Sequence, residues 1–499
     1  MHRRFICLAL LISLLSYSQV KAQSHIIESR RELFVDSHLI DKLGGQARLK
    51  LNHPARKNIA IVHDAPWEGS GGGYHTVFFD PKYKGGMYRM YYHAWHIPLQ
   101  GEQGAPLTIA YAESKDGIRF KKPKLGIASF KGSKANNIIL DKINDRRPHD
   151  FNPFIDANPN AAADAPYKAV GRAANPTGLY AFKSKDGIHW QAYSNSKPVM
   201  TGHPFDTQNI VFWDPNIKKY RAYIRDFIGP RRIIKTATSD DFIHWTKRVP
   251  LKFVDSPKQQ LYTNQVKPYY RAPHLLLGFP ARYVDRGWTP ATRALPSLRL
   301  RKLRATTSRR FGTAVTDAMF MVSRDGLTFK RWNEAFIRPG LRTKHNWAYG
   351  DNYMAWHVVE TNSVDDDSPR ELSIYATESY FTGKSSRLRR YTMRLDGFAS
   401  LHAPGKGGEC VTKPLVMKGS ALHLNLSTSA AGSVHVELQS ADGKPLPGYS
   451  LKECSVIFGD FLSYKVQWAK GTDVSKLAGK PIRIRLVLKD ADVFSYRFK

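Results

Sequence analysis

The heptad SKDGIRF at residues 114–120 recurs three times in altered form, as SKDGIHW at 184–190, SDDFIHW at 239–245 and SRDGLTF at 323–329. An Asp-Gly pair between strand-forming residues favours a turn, because glycine tolerates the positive φ that tight turns need. The serine and aspartate can bond nearby backbone groups, and the closing Phe or Trp can pack sideways. We therefore predict that each heptad is one turn of a repeated antiparallel sheet.

Strand-like segments surround every heptad. Three of them precede each turn and one follows it, and a fifth group ends in the degenerate echo RLDGF at residues 394–398. Repeats tens of residues apart, built from short strands, are typical of β-propellers. The predicted fold class is all-β, with a five-bladed β-propeller over residues 30–397, in which the first strand of each blade lines the central axis.

The sequence pattern changes after residue 398. Segments such as SVHVELQ at 433–439 alternate apolar and polar residues, and turns such as ADGKP at 441–445 separate them. This alternation predicts strands with one buried face, as in two packed antiparallel sheets. We predict a C-terminal β-sandwich over residues 398–499.

The first 22 residues have the features of an export signal. A basic start is followed by a short apolar run, and VKA at residues 20–22 is an A-x-A-like cleavage site. No later stretch is long and apolar enough to span a membrane. We therefore expect a secreted or periplasmic protein without a membrane span.

Two cysteines follow the signal, Cys410 and Cys454. Thiols of an exported chain can pair, but the sequence does not show whether their geometry allows it, so a disulfide between them stays open. There is no CxxC or HExxH motif and no Cys/His cluster, so we predict no metal site and no cofactor.

The chain is strongly basic, with 76 Lys and Arg against 42 Asp and Glu and a net charge of +34. Such a field attracts polyanions. Because export is predicted, an anionic polysaccharide or cell-surface polymer fits better than nucleic acid, which we do not expect as a partner. The charge could also serve solubility alone.

A basic insertion, TRALPSLRLRKLRATTSRR at residues 292–310, interrupts one of the predicted blades. Long segments inside a compact domain are usually mobile or functional. Two interpretations follow: a solvated, mobile loop, or a flap that docks an anionic substrate.

Five blades with S-x-D turns followed by a β-sandwich resemble the five-bladed glycoside hydrolases of families 32 and 43. The opening ELFVDSHLID at 32–41 and the closing RLRRYTMRLDGFAS at 387–400 also resemble secreted bacterial proteins of this type. The resemblance implies hydrolysis of glycosidic bonds in a polysaccharide or oligosaccharide. A calcium ion at the axis is compatible with such a fold, although nothing in the sequence indicates one.

Enzymes of this kind place three carboxylates around the mouth of the axis, and two suffice in principle for glycosidic hydrolysis. Asp150 and Asp206 stand where inner strands would begin, Glu378 interrupts an apolar strand, and Glu68 precedes the first inner strand. We assign Asp150 or Glu68 as base or nucleophile, Asp206 as the orienting acid and Glu378 as proton donor. Each could instead be a hydrogen-bonded turn or strand-end acid.

Further residues near the predicted inner strands could bind substrate. Guanidinium groups can bind a sulfate or carboxylate, and aromatic rings can stack on sugars. The predicted substrate-binding residues are His149, Arg225, Arg271, Arg282, Trp347 and Asp351. The fourth blade offers Tyr262 at the equivalent place but no acid.

The sequence therefore predicts a secreted glycoside hydrolase-like protein, acting by carboxylate acid–base catalysis on a polysaccharide or oligosaccharide that could be sulfated or uronic. The alternative is a non-catalytic propeller that binds carbohydrate polyanions. A scaffold for nucleic acid or the cell surface, driven by charge alone, is the third interpretation.

Overall fold

The computed structural model describes residues 24–96, 107–142, 147, 149–173, 176–193, 195, 197–203, 205–365, 367–381 and 385–499. The predicted export signal, residues 1–22, lies outside these described residues. None of the described helices has the length and apolar character needed to cross a membrane. The described chain is mostly β-structure, which confirms the all-β prediction at this level.

Five strands precede the first heptad-bearing sheet. Four of them are short and belong to the C-terminal sheet described below, while the fifth belongs to the last sheet of the heptad-bearing series. They are β1 (His25–Glu28), β2 (Glu32–Leu33), β3 (Ile40–Gly45), β4 (Arg48–Leu51) and β5 (Ala55–His63).

Three antiparallel sheets follow, and in each one strands consecutive in the chain are neighbours. The first contains β6 (Gly73–Asp80), β7 (Met87–Ala94), β8 (Thr108–Ser114) and β9 (Ile138–Leu140). The second contains β10 (His149–Ile155), β11 (Tyr167–Ala173), β12 (Gly178–Ser184) and β13 (Gln191–Ala192). The third contains β14 (Ile210–Asp214), β15 (Lys219–Ile228), β16 (Arg231–Ser239) and β17 (Val249–Pro250).

The fourth sheet carries the insertion. In chain order this region contains β18 (Lys252–Val254), β19 (Gln260–Leu261), β20 (Lys267–Tyr269), β21 (Ala272–Gly278), β22 (Ala281–Asp285), α1 (Pro290–Arg293), α2 (Leu298–Thr307), α3 (Arg309–Thr313), β23 (Ala314–Ala318), β24 (Met321–Ser323) and β25 (Thr328–Arg331). Strands β20, β21, β24 and β25 repeat the order of the earlier sheets, with β18 at the edge, and β19, β22 and β23 form a small separate sheet.

The fifth sheet joins the two ends of the series. It contains β26 (Val359–Thr361), β27 (Glu371–Glu378) and β28 (Ser386–Met393), and its fourth strand is β5. Because β5 precedes the first sheet in the chain but pairs antiparallel with β28, from His63 opposite Ser386 to Ala55 opposite Thr392, it ties the last sheet to the first.

A ten-stranded sheet contains the rest of the chain. Its last six strands are β29 (Ala399–Ala403), β30 (Gly408–Thr412), β31 (Leu415–Met417), β32 (Leu422–Ser440), β33 (Asp460–Lys465) and β34 (Pro481–Phe498), and 3₁₀ turns occur at Tyr83–Gly85 and Ser475–Leu477. Strands β1 to β4 complete it by pairing with β31, β34, β30 and β29 respectively. Residues 25–51 thus pair with the C-terminal part of the chain, although the sequence analysis placed most of them in the propeller.

The two cysteines left open by the sequence lie in the core of this sheet. Cys410 and Cys454 are both buried, and both are free thiols. The disulfide considered from the sequence is therefore not formed in this structure, and the two side chains serve as small apolar core residues.

Each heptad connects the third strand of its sheet to the fourth, as its turn signal predicts. In the second heptad, Gly187 N donates to Ser184 Oγ at 2.8 Å, and Ile188 N and His189 N donate to Asp186 Oδ1 at 2.8 Å each. In the third heptad the equivalent aspartate is Asp241.

The heptads also join neighbouring sheets. Tyr91 of the first sheet donates its hydroxyl to the carbonyl of Gly187 in the second at 2.9 Å, and Tyr223 of the third donates to Gly326 of the fourth at 2.9 Å. Tyr375 of the fifth sheet donates in the same way to the first heptad. Both Tyr91 and Tyr223 are fully buried, so each bond fixes one sheet against the next.

The basic insertion contains the helices α1, α2 and α3 in place of the predicted loop, although most of its residues are exposed or half-buried. Arg301 and Arg304 of α2 are buried. Arg301 donates to the carbonyl of Trp347, and the Arg304 guanidinium lies over the Phe381 ring at 5.2 Å. Cation–π contacts and hydrogen bonds of this kind anchor the helices to the sheets beneath.

The tyrosine junction predicts a measurable contribution to stability. We expect Tyr223→Phe to lower the free energy of unfolding by about 1–2 kcal/mol, because the buried Gly326 carbonyl loses its donor. Tyr449→Phe, which removes an exposed hydroxyl bond to the Asp473 carbonyl, is the matched control and should cost less. Urea denaturation measures both, and equal losses would contradict a special role for the junction.

Candidate functional site

The first strands of the first two heptad-bearing sheets, β6 and β10, begin with irregular backbone. Tyr74 in β6 and Asp150 in β10 have φ values of 50° and 55°, in the left-handed region. The register of both strands shifts at these residues. Bulges re-aim side chains, and strained backbone is concentrated at functional sites. This end of the sheets is therefore a candidate functional site.

Side chains from all five heptad-series sheets or the segments leading into them meet at this end. Tyr74 Oη lies 3.3 Å from Tyr262 Oη, and the Tyr262 ring stacks on Tyr353 with 5.3 Å between centroids. Asp150 and Asp206 lie beside these rings. We call this region the mouth, defined by Tyr74, Asp150, Asp206, Tyr262 and Tyr353.

An aromatic cluster forms the wall of the mouth. Burial raises the pKa of four of these tyrosines well above the usual value, so their hydroxyls stay protonated and can donate hydrogen bonds. The sequence analysis noted only Tyr262, because each of the others is isolated in the sequence. The cluster consists of Tyr74, Tyr262, Tyr283, Tyr349, Tyr353, Tyr380, Phe311 and Phe381.

Asp150 is a fully buried carboxylate with little compensation. Its Oδ2 accepts from Thr207 N at 2.9 Å and lies 2.6 Å from His149 Nδ1. Its Oδ1 has no hydrogen-bond partner among the described residues, and His93 Nδ1 is 3.9 Å away. Asp150 and His149, which are neighbours in the sequence, therefore also have their side chains close together, and His93, which the sequence did not indicate, lies beside them.

His93 lies near the end of β7 and is only 1% exposed. Its ring stacks parallel to Trp95 at 5.4 Å and meets His149 edge-on at 4.6 Å. Burial lowers its pKa well below the usual value, so the ring is neutral near pH 7. Within the described chain neither ring nitrogen makes a hydrogen bond, although buried polar groups almost always do.

Asp206 is the open carboxylate of the mouth, with 42% of its side chain exposed. The nearest guanidinium is that of Arg225, whose Nη2 is 3.9 Å from Asp206 Oδ2. Arg225 is buried over the rings of Phe227 and Tyr262, at 4.7 and 5.6 Å. Its Nε has no hydrogen-bond partner in the described structure, so this predicted substrate-binding residue keeps unused donor capacity.

Asp150 and Asp206 belong to one electrostatic environment. Burial raises the pKa of Tyr380, and the charges of both aspartates raise it further. The backbone N–H that Asp150 accepts comes from Thr207, the residue after Asp206. Two of the predicted catalytic acids therefore meet at the mouth.

Glu378, the predicted proton donor, is held in an ion-pair network instead. Arg56 and Arg387 contact it at 2.8 and 3.1 Å, and Arg389 binds both of its oxygens. Burial alone would raise the pKa of Glu378, but the bonds from Arg389 and Arg56 outweigh it and lower the pKa. An acid that is ionised and locked in this way does not suit proton donation.

Glu68, the other predicted base or nucleophile, is also fully engaged. Its oxygens accept from Lys122 Nζ at 2.6 Å, from the Tyr92 hydroxyl at 2.5 Å and from Ala65 N at 2.8 Å. Burial raises its pKa, while the lysine opposes that rise. These three bonds anchor the loop before β6.

Asp351 lies beneath the aromatic cluster rather than facing substrate. It is buried, and its oxygens accept from the backbone N–H groups of Tyr380 and Ala348 at 3.0 and 2.9 Å. Burial raises the pKa of this carboxyl to about 8, although those two bonds oppose the rise. Its place in the structure is that of a support for the Tyr380 segment, not the predicted substrate contact.

Three further predicted substrate-binding residues are distributed more widely. Arg271 donates to Asp396 at 2.8 Å, in the RLDGF echo next to the ten-stranded sheet. Arg282 grips Asp317 with two bonds, and it lines, together with Trp347, a groove of about 710 Å³ beside the insertion. Arg271 therefore has a structural partner, while Arg282 and Trp347 border a groove large enough for a sugar chain.

A cavity of about 400 Å³ opens at the opposite end of the innermost strands, beyond the mouth. Lys267 lines it, and its Nζ lies 3.2 Å from His357 Nε2. Burial lowers the pKa of this lysine to about 7. The acid at this cavity, Glu360, is bound by Tyr270, so the cavity lacks the paired free carboxylates found at the mouth.

No protein-family model matches the sequence, and no curated protein is significantly similar to it. Among solved structures, a glycoside hydrolase is similar over 69% of this chain and 93% of its own, at 12% identity and a TM-score of 0.41.

A β-fructofuranosidase from Schwanniomyces occidentalis, complexed with fructosyl-erythritol, covers 94% of this chain and 99% of its own, at 12% identity and a TM-score of 0.40. An N-acetylgalactosamine deacetylase from F. plautii, in complex with blood group B trisaccharide, covers 72% and 96%, at 12% and 0.42. At this level of similarity the activity has to be argued from the side chains of this chain.

The raised pKa of Asp351 predicts a pH-dependent stability. The ordinary pKa is 3.8 and the folded value is about 8, so the native chain keeps a proton that the unfolded chain releases. Wild-type stability therefore falls as pH rises between these values, by up to about 1.4 kcal/mol per pH unit. Asp351→Asn removes this titration.

The stability of Asp351→Asn relative to wild type should accordingly improve from pH 5 to pH 7.5. Urea denaturation across this range measures the difference, and Asp317→Asn, which removes a partly exposed carboxylate, controls for general loss of charge. A difference between wild type and Asp351→Asn that does not change with pH would show that Asp351 is ionised in the fold.

Proposed function

We propose that this protein is a carbohydrate-active hydrolase that cleaves glycosidic bonds at the mouth, using the carboxylates of Asp150 and Asp206. The observation that carries the proposal is their convergence. One carboxylate is buried beside two histidines, and the other is exposed beside a buried guanidinium with unused donors. Two carboxyl groups in unlike environments are the arrangement that acid–base hydrolysis of a glycoside requires.

We further propose that the five sheets are the blades of a five-bladed β-propeller and that the ten-stranded sheet is a β-sandwich. The support is the repeated antiparallel order of the sheets, the recurrent heptad junction and the closure of the last sheet by β5. The mouth is then one end of the propeller axis. Residues 1–22 are proposed to direct export, and the N-terminal sequence of the mature protein would test this.

The roles within the site follow from burial. Asp206 is accessible to a substrate, so we assign it proton transfer at the glycosidic bond. Asp150 is fully buried, and we propose that it acts together with His149, whose side chain is partly exposed. Glu378 has no part in the reaction, because three arginines already hold it.

An anionic substrate is the second element of the proposal. The half-buried Arg310 of α3 lies over Phe311 and Tyr349, at 5.2 and 5.8 Å, and interacts electrostatically with Asp206. Its Nε has no hydrogen-bond partner among the described residues. Together with Arg225 it offers a sulfate or uronic carboxylate two guanidinium groups at the mouth.

A non-catalytic carbohydrate-binding role is the competing function. The observation in its favour is that the predicted proton donor is locked in ion pairs, so among the described acids of the mouth only Asp206 is accessible. A binding protein of this kind would bind sulfated polysaccharide without turnover.

The first test is hydrolysis of sulfated, uronic and neutral polysaccharides, followed by reducing-end assay. We expect Asp206→Asn and Asp150→Asn to lower kcat at least about 100-fold, because general acid–base catalysis contributes that much or more. Glu378→Gln is the control acid and should keep kcat while lowering stability. Loss of activity in Glu378→Gln with activity retained in Asp206→Asn would overturn the assignment.

The second test concerns the anionic substrate. We expect Arg310→Met, which keeps the apolar stem, to raise KM for a sulfated substrate about tenfold, equivalent to about 1.4 kcal/mol, and to leave a neutral one unchanged. Arg309→Met is the matched control, because the exposed Arg309 side chain pairs only at 3.5 Å with Asp285. Equal effects of the two variants would reduce the role of Arg310 to nonspecific charge.

A further inference from the structure

We infer that His93, His149 and Asp150 form a binding site for a divalent transition-metal ion. One potential ligand atom from each residue lies within 4.8 Å of the others. The three residues come from adjacent strands, β7 and β10, and not from a sequence motif, which is why the sequence predicted no metal. The site goes beyond the proposed hydrolysis, and it changes one role in it: with an ion bound, Asp150 is a ligand and not one of two free catalytic carboxylates.

The hydrogen bonding of the three residues is the main argument. His93 is 1% exposed, Asp150 is fully buried, and neither His93 nitrogen nor Asp150 Oδ1 has a hydrogen-bond partner in the described structure. Leaving such atoms unpaired costs about 1–3 kcal/mol each in ordinary proteins. A cation between them would satisfy both imidazoles and the carboxylate together.

The distances are compatible with coordination. Asp150 Oδ1 is 3.9 Å from His93 Nδ1, and Asp150 Oδ2 is 2.6 Å from His149 Nδ1. Bonds of about 2.0–2.1 Å in a tetrahedral site separate neighbouring ligand atoms by roughly 3.3 Å. The two measured distances involve different oxygens of Asp150 and lie on either side of this value, so coordination requires the side chains to rotate from these positions.

The surroundings of the three ligands fix their orientation. Thr207 N donates to Asp150 Oδ2, Trp95 stacks on the His93 ring, and the left-handed backbone of Asp150 holds its side chain toward the histidines. Contacts of this kind to the ligands are typical of metal sites.

The donor set selects the ion. Two imidazoles and one carboxylate suit zinc, manganese or iron, whereas calcium prefers six to eight oxygen ligands. With three protein ligands, such an ion keeps a position for water or substrate. Asp150 would then act as a ligand and Asp206 would remain the free carboxylate of the mouth.

The test uses the mature protein without a polyhistidine tag, stripped with EDTA and then returned to chelator-free buffer. Titration calorimetry with ZnCl2, MnCl2 and CaCl2 measures affinity, and elemental analysis measures stoichiometry. We expect one zinc or manganese ion per chain and calcium binding at least about tenfold weaker. Dissociation constants above about 100 µM for both transition metals would overturn the inference.

Variants assign the site. His93→Phe and Asp150→Asn should each weaken binding at least about tenfold. His189→Gln is the matched control, because His189 forms the same kind of His–Asp pair with Asp186 in an exposed heptad turn, at 2.7 Å. If circular dichroism shows that His93→Phe does not fold, Asp150→Asn decides, and wild-type affinity in that variant would contradict the site.

The outcomes separate this inference from the proposed function. Stoichiometric metal in a protein that hydrolyses no polysaccharide would support the site and contradict the hydrolase. Hydrolysis that survives complete metal removal, in a protein that binds no added ion, would do the reverse.

Discussion

At three junctions between the heptad-series sheets, a hydrogen bond from a buried tyrosine hydroxyl to a heptad glycine carbonyl fixes one sheet against the next. The glycine is required for two reasons: Gly187 has a φ of 72°, and a Cβ added there would lie 2.7 Å from the Arg89 guanidinium and 2.8 Å from Tyr91 Oη. The heptad is therefore constrained by its own turn and by the adjacent sheet. This double constraint explains why nearly the same seven residues recur.

The exception at the third heptad supports the same view. Phe242 takes the place of glycine at a φ of 72° and is fully buried. Its ring packs at 5.9 Å from Phe154 of the second sheet and at 5.2 Å from Tyr220. Aromatic packing replaces the tyrosine–glycine bond at this junction, so the left-handed backbone is kept even where the residue that favours it is lost.

Side-chain amides form hydrogen bonds between the sheets, in the region between the mouth and the cavity of about 400 Å³. Gln208 Nε2 donates to the His75 carbonyl at 3.1 Å, and Gln265 donates to Gln208 and, at 2.8 Å, to the carbonyl of Met354. Gln265 also lines the cavity at the opposite end. These bonds therefore link His75, next to Tyr74 of the mouth, with a residue that lines the cavity.

The sequence predicted local features well and long-range pairing poorly. Turn positions and most strands could be read from the heptads, because these depend on neighbouring residues. The ion pairs of Glu378 could not be predicted, since Arg56, one of its partners, lies 322 residues away. His93 was missed because a histidine inside an apolar strand is indistinguishable from a core residue until its neighbour His149 is placed beside it. The pairing of strands β1 to β4 and the aromatic cluster were missed for the same reason, because the residues that meet there are far apart in the sequence.

The charge balance of the chain makes its unpaired acids informative. With 76 cationic against 42 acidic residues, a buried acid is expected to have a lysine or arginine beside it. Glu378 and Glu68 follow this expectation, and each is bound directly by a cation. Asp150 is surrounded by imidazoles and a backbone N–H, and the nearest guanidinium to Asp206 is at 3.9 Å. Asp351 shows that a buried acid of this chain can also rely on backbone N–H groups alone, so the unpartnered Oδ1 of Asp150 and the exposure of Asp206 are the features on which the proposed function depends.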